Sequence, residues 1–491
     1  MSAATGRGPA VRGPVALHRR ARAAPAPAAR AAIPLFRHAG GTAPPAPAAT
    51  RATAADPYAL FGVPWWRIGF GMIGIFLYTG ARIATSAAEA DPELGGFNPI
   101  NAILQLVILL GSAALVARNW RACLPLLRPA WPFLALLLVF LASATWSQSP
   151  QHTVRRCVAI LGLMLFVMST YADLGPRRFL RLVLAAVLGM VALSCAEVVL
   201  RPSIGFDVGE YANAIRGVFP QKNAFGMALL AGTLALSFVV LERDFIRPRD
   251  VVMLLVLLVM LKLSRSTTSL LLTLFTTGGT LAILAIRRGG LPRALALLGM
   301  ASGLAAGLLF FAAVGTEGMF DAIGKDSTLT GRTQIWAAVA DLIRQRPLTG
   351  YGYAAFWIVD TPGVRYIWDV TEWEVPTAHS GYREVLLQLG AVGAAAGFCI
   401  LGVALWRIAR AIGRGQARRA VWMMMFLVIL SVLSFSESAL FNPDMQLVLW
   451  MLGTMALLDD TLHRAPPAPP PPPGPLFRSD ARPWGVFRRG S

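Results

Sequence analysis

Long apolar runs, separated by short segments rich in arginine, glycine and proline, fill this sequence between about residues 65 and 460. Twelve runs approach the roughly 20 apolar residues that a helix needs to cross a bilayer. They cover residues 65–85, 98–117, 131–147, 154–171, 179–200, 223–241, 250–264, 267–286, 294–315, 383–406, 420–440 and 445–460. The pattern predicts an all-α integral membrane protein with about twelve transmembrane helices, of which the runs at 131–147, 250–264 and 445–460 are the shortest.

The two ends of the chain lack this pattern. Residues 1–62 are rich in alanine and proline and hold eight arginines but a single acid, Asp56. Residues 463–491 include a proline-rich run at 466–473. Neither composition can bury enough apolar surface to form a core. We predict two disordered tails around one polytopic membrane domain at 63–462, with a wrongly assigned start codon or an organelle transit peptide as the alternatives for the first tail.

Composition supports a membrane protein and excludes several other classes. Hydrophobic residues make up 56% of the chain and charged residues only 14%, with a mean hydropathy of +0.58. Soluble domains carry about 25% charged residues. The cysteines at 123, 157, 195 and 399 lie within or beside apolar runs and have no C-x-x-C spacing. The sequence therefore indicates neither a soluble enzyme, a disulfide framework nor a zinc site.

The net charge of +20 comes mostly from arginines in the loops between the apolar runs. Each loop that the twelve-helix scheme places inside carries at least three arginines, whereas the outer loops near Asp91 and Asp444 carry none. This is the positive-inside pattern. It predicts a multi-pass membrane protein with both termini cytoplasmic and a long outer loop at 316–382. Because the charge lies between apolar runs, nucleic acid is not a predicted partner, whereas membrane lipids are.

Cations in three outer segments oppose this bias and suggest an anionic ligand. The segments are 201–222, 262–266 and 316–382. The residues that could bind such an anion, for example a diphosphate, are Arg216, Lys222, Arg265 and Arg332. Arg216 and Lys222 stand just before a predicted helix, whose N-terminus itself favours anions. Snorkelling, a charge beside a turn and a solvated helix face are the respective alternatives for Lys222, Arg265 and Arg332.

The long loop combines an amphipathic helix with a cluster of aromatic residues. Residues 331–346 place apolar side chains on one helical face, and Pro347 should end that helix. The aromatic residues Tyr351, Tyr353 and Trp357 follow in a glycine-rich turn. Their rings could stack on sugar faces, which present C–H bonds. Anchoring of the loop at the membrane interface is the alternative.

His379 is the candidate catalytic residue of this loop. A histidine near its normal pKa can accept a proton from a hydroxyl group, although a structural role at the interface is the alternative. Glu372 and Glu374 form an E-x-E pair without a matching set of histidines. The outer segments contain no D-x-D pair, and the chain contains no H-E-x-x-H motif and no phosphate-binding Gly-Lys-Ser/Thr loop. The sequence therefore suggests neither a metal site, a cofactor nor nucleotide hydrolysis.

Five motifs occur in a fixed order across these spans. They are RGVFPQKNAFG (216–226), SRS (264–266), LTGRTQIW (329–336), RPLTGYGYAAFW (346–357) and AHSGYREVLLQLGAVG (378–393). Each motif alone is weak, but the ordered set resembles the O-antigen ligase and bacterial polysaccharide polymerase superfamily. The resemblance covers roughly residues 60–460 and is greatest to the exopolysaccharide production branch.

The resemblance implies a GT-C-like architecture and a metal-independent, inverting glycosyltransferase. Its donor would be a glycan on undecaprenyl diphosphate at the periplasmic face of the bacterial inner membrane, and its acceptor a sugar hydroxyl on another glycan or on lipid A–core. His379 would act as the base or orient the acceptor. The family's cationic positions carry over to Arg216, Lys222, Arg265 and Arg332, and would neutralise the departing diphosphate. A flippase and a chain-length regulator are implied partners.

Three functions remain open at this point. Polymerisation of an exopolysaccharide is preferred, and ligation of a glycan to lipid A–core differs from it only in the acceptor. A secondary transporter could also have twelve spans, but it should carry charges or broken helices near the bilayer midplane. Glu197 is the clearest acid within a predicted span, and it lies near the outer end of that span. This position disfavours transport.

Overall fold

Helices dominate the computed structural model, which describes residues 64–83, 99–207, 213–295, 297–299, 332–358, 361–372 and 374–458. Their bounds are α1 Trp65–Tyr78, α2 Pro99–Arg118, α3 Leu127–Ala142, α4 Pro150–Leu200, α5 Lys222–Arg243, α6 Pro248–Leu263, α7 Thr267–Arg288, α8 Arg332–Gln345, α9 Pro362–Thr371, α10 Gly381–Gly413, α11 Ala417–Ser436 and α12 Met445–Leu458. The predicted tails 1–62 and 463–491, most of the predicted span 294–315 and the loop up to residue 331 lie outside the described residues.

The prediction of an all-helical membrane protein agrees with this architecture, whereas the count of twelve spans is not confirmed. Seven helices in the described part of the chain are long and apolar enough to cross a membrane. One of them, α4, is 51 residues long and holds two predicted spans, which a non-helical Gly175 followed by Pro176 separates. α1, α6 and α12 have only 14 to 16 residues, whereas α3 counts among the seven because short helical turns on both sides extend it to Trp120–Thr145.

The buried helix α5 forms the centre of the bundle. Its residues are apolar on all sides and almost all are buried, as expected for a helix surrounded by other helices. It packs mainly against α4 and α7. Trp422 of α11 donates its indole N–H to the Leu234 carbonyl at 2.9 Å and meets Phe238 edge to face at 5.2 Å. α5 therefore sets the positions of the helices around it.

A cluster of ion pairs fixes the C-terminal end of α5, and we call it the Glu242 cluster. Its acids are Glu242 and Asp244, and its arginines are Arg177 of α4, Arg287 of α7, and Arg418 and Arg419 of α11. All four arginines belong to loops predicted to be cytoplasmic. The Arg419–Glu242 pair is the most buried, with side chains only 5% and 9% exposed. The cluster thus joins three helices to the end of α5.

Replacing Arg419 should destabilise the bundle much more than replacing Arg177. Arg419→Ala leaves Glu242 without a buried partner and removes a hydrogen bond to the Ala456 carbonyl, so we expect a loss of about 3 kcal/mol. The Arg177 side chain is 49% exposed, and Arg177→Ala should cost less than about 1 kcal/mol. Unfolding of both variants in detergent measures the difference. Equal losses would show that burial of the pair is irrelevant.

Candidate active site

The outer loop is built into a break in α10. The helix is interrupted at Gly390, where φ is +57°. On its N-terminal side, the carbonyls of Leu387 and Gln388 accept hydrogen bonds from the amides of Tyr351 (3.0 Å) and Gly352 (2.8 Å). The loop therefore replaces partners that a continuous helix would have provided.

The same exchange occurs beyond the break. The amides of Ala391 and Val392 donate to the carbonyls of Pro347 (2.8 Å) and Leu348 (3.1 Å). Glycine is required where the two backbones touch, because a Cβ at Gly350 would lie 2.5 Å from a backbone atom of Gln388. Non-helical backbone within a membrane helix is tolerated where protein satisfies it, as the loop does here.

The predicted amphipathic helix is confirmed as α8, Arg332–Gln345, and it ends before Pro347 as expected. Its residues Ile335, Val339 and Leu342 are buried in a small core of the outer loop. This core includes Phe356 and side chains of α9. The core and the break in α10 together give the outer loop a defined position on the helices.

The tyrosines of the glycine-rich turn are buried packing residues in this structure. The Tyr351 hydroxyl donates to the Leu342 carbonyl at 3.2 Å. The Tyr353 ring stacks on Phe140 at 3.9 Å, and its hydroxyl donates to the Phe441 carbonyl at 2.7 Å. Contact between these rings and a glycan stays a prediction, and it would require both rings to leave their present neighbours.

A buried carboxylate, Glu384, stands at the centre of the loop's polar contacts. Its side chain accepts hydrogen bonds from the Trp357 indole (2.9 and 3.0 Å), the Ala378 backbone amide (2.7 Å), the Gln388 side-chain amide (2.8 Å) and the Ser438 hydroxyl (3.4 Å). It thereby fixes the half-buried Trp357, the third predicted glycan contact. Nothing in the apolar run at 383–406 distinguishes Glu384 from a charge at the edge of a span, so the sequence analysis did not select it.

The choice of Glu197 as the clearest acid within a span is therefore wrong. Glu384 lies in the first turn of α10 and is 6% exposed. Glu437, which follows α11 directly, is 7% exposed. Glu197 instead pairs with Arg201 one turn further along the same helix end.

His379 is held in an uncommon backbone conformation beside these contacts. Its φ is +46°, a region that non-glycine residues rarely adopt. Both polar groups of the preceding Ala378 are bonded, the amide to Glu384 and the carbonyl to the Trp336 indole at 3.0 Å. Burial, and then the positive charge of Arg332, lower the pKa of His379 to about 4. The imidazole is therefore neutral near pH 7 and can accept a proton.

Arg332 meets two other motif segments at Glu437, and we call this arrangement the Glu437 node. The Arg332 guanidinium donates to the Ser436 carbonyl and lies 3.4 Å from the Glu437 carboxylate. The same carboxylate oxygen accepts from the Asn223 side chain at 3.1 Å. The Gly381 amide donates to the Glu437 carbonyl at 3.0 Å. The node thus joins segments 216–226, 329–336 and 378–393.

The SRS segment (264–266) lies beside the N-terminal end of α5, which also carries Asn223 of the Glu437 node. A Cβ added at Gly226 would lie 2.4 Å from the Ser266 hydroxyl, so the small residue allows the close approach of α5 to the start of α7. Thr268 lies 3.5 Å from the Ser436 hydroxyl, beside the Glu437 node. Arg265 is exposed at the turn, with a φ of +52°.

Arg216 has a structural role in its own loop. It is 1% exposed, and its guanidinium donates to the carbonyls of Ile204 (3.0 Å) and Pro220 (3.2 Å). Lys222 begins α5, and its amide donates to the Asp207 carboxylate at 3.0 Å. These contacts shape the segment that presents Asn223, and diphosphate binding by both cations stays a prediction.

A cation that the sequence analysis missed lies beside Arg216. The first predicted span extended to residue 85, but α1 ends at Tyr78, so Arg82 belongs to the outer segment. Its amide donates to the Val218 carbonyl at 2.8 Å. Burial, and then the charge of Arg216, lower the pKa of Arg82. The outer loop near Asp91 is therefore not free of arginine, as the span bounds had suggested.

Comparisons with known proteins match the part of the chain that carries several of these motifs. Residues 251–398, from α6 into α10, match the family model described as O-antigen ligase, and they include Arg265, Arg332 and His379. The exopolysaccharide production protein ExoQ of Rhizobium meliloti (strain 1021) is 26% identical over 264 residues. That alignment covers 50% of this chain and 58% of ExoQ, so the chain spans little more than half of this relative's length. Together, the matches support the resemblance to the O-antigen ligase and bacterial polysaccharide polymerase superfamily.

Proposed function

We propose that this protein transfers a glycan from an undecaprenyl-diphosphate-linked donor to a sugar hydroxyl at the periplasmic face of the inner membrane. The observation that carries this proposal is the meeting of three motifs at the Glu437 node, which contains Arg332. The charge of Arg332 also helps to keep His379 neutral, because it lowers the pKa of the imidazole. A base next to a cation suits the attack of a hydroxyl on a carbon that bears an anionic leaving group.

The reaction follows from these two groups. His379 accepts the proton of the acceptor hydroxyl while that oxygen attacks the anomeric carbon. The bond between this carbon and the phosphate oxygen breaks, and the configuration inverts. Arg332 pairs with the diphosphate as it departs, because a guanidinium can form two parallel hydrogen bonds with phosphate oxygens. Lys222, Arg265 and Arg216 are proposed as further cations for the diphosphate, and the proposed mechanism needs no metal ion.

Polymerisation of an exopolysaccharide is the preferred outcome, because the curated relative is named for exopolysaccharide production. Ligation to lipid A–core is the second candidate, since the matching family model is described as O-antigen ligase. The two candidates share the donor and differ in the acceptor, so the product made with each acceptor distinguishes them. The matches favour both over secondary transport.

His379→Ala should lower the rate of transfer by a factor of about 100 or more, the range for loss of a general base. Binding of the lipid-linked donor should stay nearly unchanged, because a neutral imidazole is no counter-ion for phosphate. With the wild type, activity should be constant between pH 6 and 8 and fall only as the pH approaches the His379 pKa of about 4. Separate donor-binding and transfer assays on purified protein measure both effects. A loss of donor affinity as large as the loss of rate would assign His379 to the phosphate site instead.

Arg332→Ala should abolish transfer, and Arg332→Lys should restore it only in part, because lysine keeps the charge but loses the two-pronged geometry. Arg344 lies on the same helix, its side chain is 76% exposed, and it provides the matched control. Arg344→Ala should have little effect. Polymer formation in membranes is compared at equal amounts of protein. Normal polymer from Arg332→Ala would remove this residue from the diphosphate site.

The proposed orientation can be tested by labelling in intact cells, after Cys195 and Cys399 have been replaced by serine. Asp369 is exposed on α9, and Arg414 is exposed between α10 and α11. A reagent that cannot cross the membrane should label Asp369→Cys but not Arg414→Cys, because the arginine-rich loops stay inside. The reverse pattern would overturn the proposed orientation.

A further inference from the structure

The ion pair in the Glu437 node has a long nitrogen–oxygen distance, as does the Arg419–Glu242 pair at 3.3 Å. The Arg332–Glu437 distance is 3.4 Å, whereas charge-assisted hydrogen bonds between nitrogen and oxygen are usually about 2.7–2.9 Å. Both side chains are nevertheless almost buried, at 12% and 9% exposure. The carboxylate therefore compensates the charge of Arg332 without occupying its best bonding geometry.

The backbone of Glu437 is held independently of its side chain. Its amide donates to the Leu433 carbonyl at 2.9 Å, and its carbonyl accepts from the amides of Gly381 (3.0 Å) and Ala439 (2.9 Å). The residue comes directly after the end of α11 and has an extended conformation. A turn of the Glu437 side chain would leave these backbone bonds intact.

A diphosphate and the Glu437 carboxylate would compete for the same guanidinium. Two anions beside one arginine repel each other, and an arginine without an anion in this buried position would be costly. Binding of a diphosphate at Arg332 is therefore an exchange of one anion for another.

We propose that Glu437 is a placeholder counter-ion for Arg332, which the donor's diphosphate displaces and which returns to help expel the lipid diphosphate after transfer. This exchange rests on the function proposed above and adds a mechanism of product release. Asn223 takes part, because its side-chain amide contacts the same carboxylate oxygen and can hold either anion. The structure thus assigns Glu437 to the control of diphosphate affinity.

The direction in which one substitution changes the affinity for a diphosphate distinguishes this role from a purely structural one. Glu437→Gln keeps the size of the side chain and an oxygen for Asn223, but it removes the competing charge. If Glu437 only supported Arg332, this variant should bind a diphosphate more weakly. If Glu437 competes, the variant should bind it more tightly.

The experiment measures binding of inorganic pyrophosphate to the purified full-length protein in detergent by titration calorimetry. We expect Glu437→Gln to bind pyrophosphate about tenfold more tightly than the wild type, within the usual range of coupling between sites. The gain should disappear in the double variant Arg332→Ala/Glu437→Gln, because the competition acts through Arg332. Glu374, an exposed acid of the outer loop, is the matched control, and Glu374→Gln should leave the affinity unchanged.

Unchanged or weaker binding by Glu437→Gln would overturn the placeholder role, and so would a gain that persists without Arg332. If Glu437→Gln does not fold, Glu437→Asp provides the same test. Its carboxylate is one methylene shorter and would lie further from Arg332, so the affinity of the variant for pyrophosphate should also rise, by a smaller factor. Loss of this rise would contradict the proposal in the same way.

Kinetics separate the exchange from the transfer reaction itself. With a lipid-linked donor, Glu437→Gln should lower the steady-state rate more than the single-turnover rate, because the product diphosphate leaves more slowly. Tighter pyrophosphate binding in a protein that transfers no glycan would reject the proposed function and keep the exchange. Steady-state and single-turnover rates that change equally would reject the release step.

Discussion

The backbone hydrogen bonds opened by the break in α10 are the constraint on which the outer half of this protein depends. A membrane interior offers no water to peptide groups, so a broken helix must find protein partners. The segment 347–352 supplies them on both sides of Gly390. The aromatic turn is thereby fixed against the helix that carries Glu384, and Trp357 reaches that carboxylate. The position of the candidate site follows from this pairing.

Buried charge is organised differently at the two ends of α5. In the Glu242 cluster, four arginines pair with two acids, and contacts such as Arg177–Glu242 at 2.6 Å hold neighbouring helices against α5. In the Glu437 node, one arginine faces one acid at 3.4 Å. Buried charges must be paired in both places, because an uncompensated charge is costly. The acids of the Glu242 cluster bind arginines of several helices, whereas Glu437 faces a single arginine that is also the proposed ligand of the diphosphate.

The candidate base depends on its neighbours in two ways. The bonded groups of Ala378 hold His379 in its left-handed conformation, and burial together with Arg332 keeps the imidazole neutral. The same arginine is the proposed ligand of the leaving group. In the proposed mechanism, one cation therefore influences both the proton acceptor and the departing diphosphate.

The sequence alone determined the helical membrane class, the helix at 332–345 with its end before Pro347, and the motifs that carry His379 and Arg332, because hydropathy, helical periodicity and proline act locally. The break at Gly390, the end of α1 before Arg82 and the roles of Glu384 and Glu437 were decided by tertiary structure. The residues next to a glycine or an acid in an apolar run do not indicate which distant residue it will contact. Asn223 and Glu437 meet across 214 residues, and only packing of the helices selects such a contact.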